Sequence, residues 1–431
     1  MNHPTALRSV LIVAHDYPPI GSASAAVVMQ FVRYLAEFGY RPLILTTGRY
    51  GELTSDGSQR VYRADDVVHA LFRFQWQRRV DQVPQENRFR VATVSGQSWL
   101  GRLRDRVMIP DTKLGWLPAA ARLGNRLVGE YRPALIFSSS PPETAHLVGA
   151  EIERRSGLPW VAHLQDGWLF EPPNPIIRGQ RLRRLLETRL ERSLVERAAA
   201  LVSATEPLSE DLRLRYPAAA SKTITITNGY DRSEFLGLSR QRRPDGTFLL
   251  VYTGSLSTSR QGTSPAALFQ AIASLLKENS EMPLRVRFVG PISLEEQAMA
   301  HDLGLSRVVS FLPPVPRREA HQHQLDADAL LLITAPGQRS VATLKLFDYI
   351  GAGVPILALA RDNAAAEIIE QYRLGFTAPP DQAPDIALAL AKLMEQQKGG
   401  ATTSGFSAAQ QRFEWRNLTQ ELSLVFDRVL S

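Results

Sequence analysis

Short apolar runs alternate along this chain with longer stretches of helical periodicity, the rhythm of strands and helices laid down in turn. Val10–Ala14 reads as a first strand. Ala25–Phe38 follows as a helix with Val28, Phe31, Val32 and Leu35 on one face and Gly39 as its C-cap, and Pro42–Thr46 is the second strand. The pattern returns at Pro133–Ser140 (PALIFSSS), runs through a helix led by Pro141-Pro142-Glu143-Thr144 and ended by Gly157, and closes on the strand Pro159–Leu164. Ala200–Ser203 is another strand, Thr205-Glu206 opens a helix, and Asn228-Gly229-Tyr230-Asp231 is a turn with positive-φ residues.

Ser239–Gly246 (SRQRRPDG) is polar, basic and broken by Pro and Gly, as a linker should be. The rhythm restarts beyond it with Phe248–Tyr252, Leu284–Val289 and Val308–Phe311 as strands. The most organised stretch follows: the strand run Ala329–Thr334, a polar turn Ala335–Arg339, a short buried helix Val341–Ile350 stopped by Gly351 and Gly353, and a strand opened by Pro355. Lys345 and Asp348 lie three apart, on one side of that helix. A strand, loop, helix and strand of this kind sets a helix N-terminus and a cation beside a crevice, which suits a phosphate-bearing ligand. Ala365–Gln371 and Ile386–Glu395 are the last helices of this half, Lys398–Gly405 is a break, and Phe413–Leu430 is a terminal helix.

Two segments read less cleanly. Phe72–Arg106 mixes arginines with Phe74, Trp76, Phe89 and Trp99 without a clear period; stacking on single-stranded nucleic acid is conceivable there, but a solvated insertion is the better reading. Arg178–Arg197 is a basic amphipathic helix, with Leu182, Leu185, Leu186, Leu190 and Leu194 expected on a face that continues into the core and its arginines in solvent. Those arginines offer an anionic membrane surface a weak contact.

Composition narrows the class. At 431 residues two or three domains are expected, and an apolar fraction of 44% supplies their cores. With no cysteine, neither disulfides nor a thiolate metal site is available. The apolar run before His15 is too short for a signal peptide and no stretch approaches a membrane span, so a cytoplasmic protein is expected, with peripheral contact at the cytoplasmic membrane face as its alternative. The net charge of +7 admits acidic partners, a nucleotide among them. Asp326 and Asp328 invite a metal reading, but Asp328 abuts the strand that begins at Ala329, the ordinary place for a polar boundary, and no metal site is expected.

At the C-terminal edge of Pro159–Leu164 stands Gln165-Asp166-Gly167-Trp168, a carboxylate where doubly wound folds bind ligands. Asp166 is the leading candidate for an acid/base or acceptor-orienting group, against the plain alternative of a helix cap; His163, earlier on the same strand, is a second candidate, whereas His146 reads as a packing histidine. The loop Pro18-Pro19-Ile20-Gly21-Ser22 after the first strand reads as a ligand loop, with Gly21 at a close approach or tight turn.

Lys345-Leu-Phe-Asp348-Tyr-Ile-Gly-Ala-Gly353-Val-Pro355-Ile-Leu resembles the donor-binding segment of retaining, nucleotide-sugar glycosyltransferases of family 4, which have the GT-B fold. The resemblance implies an α/β protein of two Rossmann-like, doubly wound domains facing a central cleft: an acceptor domain at 1–238, a donor domain at 239–410, and a terminal helix at 411–431 that crosses back onto the first. It implies that Asp348 holds the donor ribose. Ser340 stands where such enzymes carry a glutamate toward the transferred sugar, which is a departure. Where the family has Gly-Arg and then Lys-Gly around the diphosphate, this chain has Gly254-Ser255 and then Arg260-Gln261-Gly262, so Arg260 and Lys345 become the cation pair, with Thr343 and Leu344 at the helix head. The implied activity is transfer of a sugar from a nucleoside-diphosphate sugar to a hydroxyl of a glycan or lipid-linked acceptor, in surface polysaccharide or glycolipid synthesis, metal-independent and with no cofactor beyond the nucleotide-sugar co-substrate. A sugar-nucleotide isomerase of the same shape and a non-catalytic partner protein are the other readings.

Overall fold

The computed structural model describes residues 7–48, 60–66, 108–171, 181–241, 243, 245–256, 264–398 and 405–431. The insertion expected around Phe72–Arg106 lies outside them.

The chain divides into two compact units, Met1–Thr227 with Leu418–Ser431, and Asn228–Asn417. Among the described residues the first is built on seven parallel strands: β1 (Arg8–Ala14), β2 (Tyr40–Thr47), β3 (Arg60–Ala64), β4 (Leu135–Ser140), β5 (Trp160–Leu164), β6 (Ala200–Ser203) and β7 (Thr223–Thr225). Their spatial order is β3-β2-β1-β4-β5-β6-β7. The order reverses between β1 and β4, which run in register from Val10 opposite Leu135 to Ala14 opposite Ser139. The helices are α1 (Ala23–Leu35), α2 (Leu117–Tyr131), α3 (Thr144–Ser156), α4 (Arg181–Arg197) and α5 (Glu206–Arg215). Because both faces of a parallel sheet are covered, its central strands read as unbroken apolar runs rather than alternations: every residue from Val10 to Ala14 is buried. Alternation survives in what each residue meets. Ile136 and Trp160 join the cluster under α2 and α3, while Phe137 meets Phe31 of α1, with ring centroids 6.1 Å apart.

The second unit repeats the plan with β8 (Phe248–Thr253), β9 (Leu284–Val289), β10 (Val309–Leu312), β11 (Ala329–Ile333), β12 (Ile356–Leu359) and β13 (Gly375–Ala378), in the order β10-β9-β8-β11-β12-β13. Its helices are α6 (Ala266–Glu278), α7 (Leu294–Asp302), α8 (Arg317–Leu325), α9 (Leu344–Ala352), α10 (Ala364–Gln371), α11 (Ala383–Lys398) and α12 (Phe406–Phe413). The order reverses between β8 and β11. The terminal helix α13 (Trp415–Leu430) ends on the first unit, where the Phe426 ring sits 5.2 Å from Tyr40 and 5.6 Å from Phe137, and Tyr40 donates to Asp427 at 2.8 Å. Two doubly wound α/β units, with a last helix returning to the first, are the architecture the family resemblance implies.

Three local features differ from expectation. The division falls at Thr227/Asn228, not near residue 239: Tyr230 exchanges backbone hydrogen bonds with Phe413 and Trp415, and Glu234 pairs with Arg317, which bind residues 228–238 into the second unit. The short helix begins at Leu344 rather than Val341, because Thr343 is extended (φ −70°, ψ 155°), and Gly353 ends it in the left-handed conformation.

Helix α4 buries Leu194 and half-buries Leu186 and Leu190 as expected, but its first turn is rotated away from the expected face. The buried side of the helix carries Arg183, Glu187, Glu191, Leu194 and Val195, while Leu182 and Leu185 are 71% and 49% exposed. The rotation is tolerable because the buried charges are satisfied. Glu187 accepts from the Trp168 indole and pairs with Arg183 at 3.1 Å; Glu191 is bonded by Arg215 and, at 2.8 Å, by Tyr216. Asp326 and Asp328 also find polar partners: Asp328 holds Arg240, Arg243 and the Leu249 amide, and Asp326 the Gln241 amide.

Candidate functional site

In the second unit the C-terminal ends of β8 and β11, on either side of the reversal, deliver two loops to one place. From β8 comes Gly254, at φ +105°, and a Cβ added there would meet Lys345 Cε at 2.7 Å. Glycine is therefore required both for the backbone conformation and for room for the Lys345 side chain. Lys345, at the head of α9, lies over the Tyr252 ring with Nζ 4.2 Å from its centroid. It donates to the Tyr252 hydroxyl and, at 3.1 Å, to the Ser255 carbonyl; Tyr252 in turn donates to Ser255 O at 2.6 Å. Among the described residues these hydrogen bonds go to neutral oxygens. Burial lowers the Lys345 pKa to about 8, against the pull of Asp348. The result is an ammonium held in place and ready for a strong anion. Thr343, the N-cap of α9, makes no capping bond, and its buried Oγ1 is without a partner among the described residues. Leu344 begins the helix, whose first amide groups point out of its end.

Asp348, three residues on, is 15% exposed and accepts from Arg317 Nη2 at 3.0 Å. Arg317 also binds Glu234 at 2.7 Å, and His321, on the next turn of α8, meets Glu234 Oε2 at 3.0 Å through Nε2 and Gln324 Oε1 at 3.0 Å through Nδ1. Gln324 donates its amide to Thr253 Oγ1 at 2.9 Å, which leaves its oxygen to accept from His321. Both ring nitrogens thus face acceptors. Burial works against a charge on this ring, but the bonds to Glu234 and Gln324 raise its pKa. Burial raises the Asp348 pKa, and Arg317 and His321 oppose the rise. Glu234, His321 and Asp348 bring potential ligand atoms within 4.8 Å of one another. A guanidinium among the carboxylates and an imidazole used as a donor on both sides make this an ion-pair network, unsuited to a divalent cation. Ser340 lies in the loop before α9, and Arg260 falls outside the described residues.

In the first unit β1 is followed by His15 and Asp16, whose side chains meet at 2.7 Å. Burial raises the Asp16 pKa, but hydrogen bonds from His15 and Ser22 and the nearby Lys113 lower it overall. Ser22 caps α1, accepting from the Ala25 amide at 3.1 Å. Pro19 is half-buried and Gly21 exposed, and a Cβ on Gly21 would meet nothing within 4 Å. The turn therefore does not need glycine for packing; what lies beside Gly21 is open space.

Asp166 is half-buried in the bend after β5. His163 is elsewhere: it is 1% exposed, stacked on Phe137 at 5.6 Å and bonded to Ser139 Oγ at 2.9 Å. Burial lowers its pKa to about 3, so it is a neutral core side chain beneath α1 and not a companion of Asp166. Sequence reasoning missed Glu143, the residue before α3: burial first, then the charges of Asp111, Glu187 and Asp166, raise its pKa to about 8. A carboxyl that keeps its proton near neutrality beside a second carboxylate is an arrangement suited to proton transfer. The Glu143 position shows only as a polar residue at a helix start, and nothing in the sequence brings Asp111 to it. The Arg317/His321 spacing of four is visible on α8, but its partners Glu234 and Asp348 come from distant segments.

Residues 22–229 match the family model described as glycosyl transferase 4-like domain, and residues 247–396 match the one described as glycosyl transferases group 1. Together these matches take in most of the chain, one on each unit. The chain belongs to the GT-B glycosyltransferases of the family-4 kind. Relatives within this group include the D-inositol 3-phosphate glycosyltransferase of Corynebacterium kroppenstedtii, 24% identical over 254 residues, or 55% of this chain and 55% of that one. This family-4-like chain thus spans about half the length of the relatives it matches by sequence. Whole-chain similarity of fold extends to a sucrose-phosphate synthase from Thermosynechococcus elongatus (TM-score 0.67, 14% identity, 98% and 99% of the two chains). It extends also to Anabaena HepE, solved in complex with UDP-glucose (TM-score 0.62, 16% identity, 98% and 100%). Among its described residues, no helix is long and apolar enough to cross a membrane.

Proposed function

We propose that this chain transfers a sugar from a nucleoside-diphosphate donor, held by the second unit, to an acceptor hydroxyl held by the first. The observation that carries the reading is the Lys345 ammonium, fixed by neutral oxygens at the head of α9 beside Gly254, one helical turn from Asp348. Lys345, with Arg260, the amides at Thr343 and Leu344, and the Gly254-Ser255 backbone, stabilises the diphosphate as it leaves, which is where charge develops. Asp348 takes a ribose hydroxyl with the acceptor capacity Arg317 leaves it, and Ser340 lies toward the transferred sugar. Asp166, with Glu143 as its proton-holding neighbour, orients or deprotonates the acceptor, and Pro19, Gly21 and Ser22 line its loop. A glycan or lipid-linked acceptor in surface polysaccharide or glycolipid synthesis is part of the same reading, with the relatives' inositol phosphate as a soluble precedent. A peripheral contact with an anionic membrane at its cytoplasmic face is supported by α4, where exposed Leu182 and Leu185 sit among Arg181, Arg184, Arg189 and Arg192.

The test is calorimetry with uridine and guanosine ligands on folded variants. A charge-assisted hydrogen bond contributes roughly 1.5–3 kcal/mol, so losing one should weaken binding about ten- to a hundredfold. Lys345→Met should weaken nucleoside diphosphate and diphosphate-sugar while sparing the nucleoside; Asp348→Asn should weaken all three. If neither changes affinity for a nucleotide that the parent binds, the donor site is not here. Conversion of the donor without any acceptor would point to isomerisation instead.

A further inference from the structure

Helix α8 begins with a cation in an unfavourable place. Arg317 is its first residue, and the N-cap, Pro316, makes no side-chain bond. The N-terminus of a helix carries partial positive charge, which disfavours a guanidinium there. His321, four residues on, shares that side of the helix. What offsets the placement of both lies outside α8.

Arg317 Nε donates to Glu234 Oε2 at 2.8 Å, and Nη2 donates to Asp348 Oδ1 at 3.0 Å. One guanidinium thus spans two carboxylates from segments far apart in sequence. Glu234 is itself fastened to α8. His321 Nε2 meets the same Oε2 at 3.0 Å, the Phe235 ring packs 4.5 Å from the His321 ring, and Arg318 donates to the Leu236 carbonyl at 3.2 Å. Arg317 is 55% exposed, but the acids it joins are largely covered, Glu234 at 22% and Asp348 at 15%. The bridge is therefore held at both acid ends, unlike a pair of freely solvated side chains.

The Asp348 carboxylate is divided by this contact. Oδ1 is taken by Arg317, and Oδ2 has no partner among the described residues. Burial favours the neutral acid; Arg317 and His321 oppose it, while Glu234 adds to it. Two further titratable groups stand beside Asp348 on α9: Lys345, one turn back, and Tyr349, whose hydroxyl donates to Leu331 O at 3.1 Å.

We infer that Arg317, anchored by Glu234, is a positioning residue of the donor site: it holds the Asp348 side chain in one orientation, keeps it a carboxylate, and leaves Oδ2 to accept from a ribose hydroxyl. The inference rests on the donor-site reading for the ribose, whereas the hold of Arg317 on Asp348 is measured without a nucleotide.

NMR of isotope-labelled aspartate carboxyls follows the titration of Asp348 in the ligand-free full chain, its signal assigned as the one missing from Asp348→Asn. In Arg317→Met, Asp348 should titrate at a higher pH than in the parent, because burial and Glu234 then act without their main counterweight. Arg317→Lys, which keeps the charge, should bring it back toward the parent. Titration calorimetry with UDP and GDP between about pH 5.5 and 8 reads the consequence for binding. The ratio of parent to Arg317→Met affinity, in which the ligand's own protonation cancels, should grow as pH falls. It should reach about five- to tenfold, the difference between a hydrogen bond to a charged group and one to a neutral group. Arg317→Gln, also uncharged, takes the same test if Arg317→Met does not melt cooperatively. An unmoved Asp348 midpoint in a folded uncharged variant overturns the inference, and so does an affinity ratio that does not change with pH. Failure of the donor-site reading looks different: UDP and GDP then bind neither protein, or bind Asp348→Asn as well as the parent, and the carboxyl titration still decides for or against Arg317.

Discussion

The packing of Gly254 against Lys345 makes a demanding test of the second-unit site, because it perturbs the cation without touching it. Gly254→Ala puts a methyl 2.7 Å from Lys345 Cε and 3.1 Å from Nζ, and does so at φ +105°. An L-residue held in so sparsely populated a conformation costs about 1–3 kcal/mol. The contact itself is relieved cheaply, since the obstacle is the far end of a flexible side chain, but only if the ammonium leaves the Tyr252 hydroxyl and the Ser255 carbonyl. For a unit of this size the strain corresponds to a fall in Tm of roughly 3–10 °C. The displaced cation should weaken nucleoside diphosphate binding about tenfold or more, with nucleoside affinity nearly unchanged. Gly304→Ala is the control: its φ is +72° and its Cβ would meet nothing within 4 Å, so it should lower Tm by conformational strain alone and leave diphosphate affinity intact. Differential scanning calorimetry and titration calorimetry on the three proteins read both quantities. Equal diphosphate affinity in Gly254→Ala and parent would refute the idea that the glycine exists to seat Lys345.

The pH dependence follows from the same ammonium. With the folded pKa lowered to about 8 from 10.5, the unfolded chain holds more protons between those values, so the Lys345 contribution to stability rises with pH through that window. Diphosphate binding needs the charged form, so affinity should fall as pH rises from 7.5 to 9.5 while nucleoside affinity stays flat; parallel curves would sink the assignment. For the rotated first turn of α4, Leu182→Gln and Leu185→Gln should change unfolding free energy by less than about 0.5 kcal/mol. Glu187→Ala, which removes the carboxylate paired with buried Arg183 and the acceptor of the Trp168 indole, should cost about 3–5 kcal/mol in a urea titration, and the opposite ranking would mean that Leu182 and Leu185 face the core.

What the residues alone determined about this protein was whatever depends on neighbours in sequence. The buried strands Val10–Ala14 and Ala329–Ile333 are legible because a parallel sheet covered on both faces demands continuous apolar runs. Gly39, Gly157 and Gly353 mark helix ends because they take left-handed conformations there. The Lys345/Asp348 spacing is legible because three residues are nearly one helical turn.

Tertiary structure decided what depends on distant segments. Periodicity alone put five leucines of α4 inward; it holds for Leu194 and fails for Leu182 and Leu185, because Trp168, Arg215 and Tyr216 supply buried partners for Glu187 and Glu191 that no local pattern encodes. His163 and Asp166 are near in sequence, yet the strand ends at Leu164, leaving the histidine beneath α1 and the carboxylate in the bend beyond. The same holds for the ammonium and the proton-holding acid. Lys345 is a cation poised on neutral oxygens only because β8 and β11 are neighbours at the reversal of strand order. Glu143 is pushed toward its protonated form only because folding half-buries it and brings the charges of Asp111, Glu187 and Asp166 near.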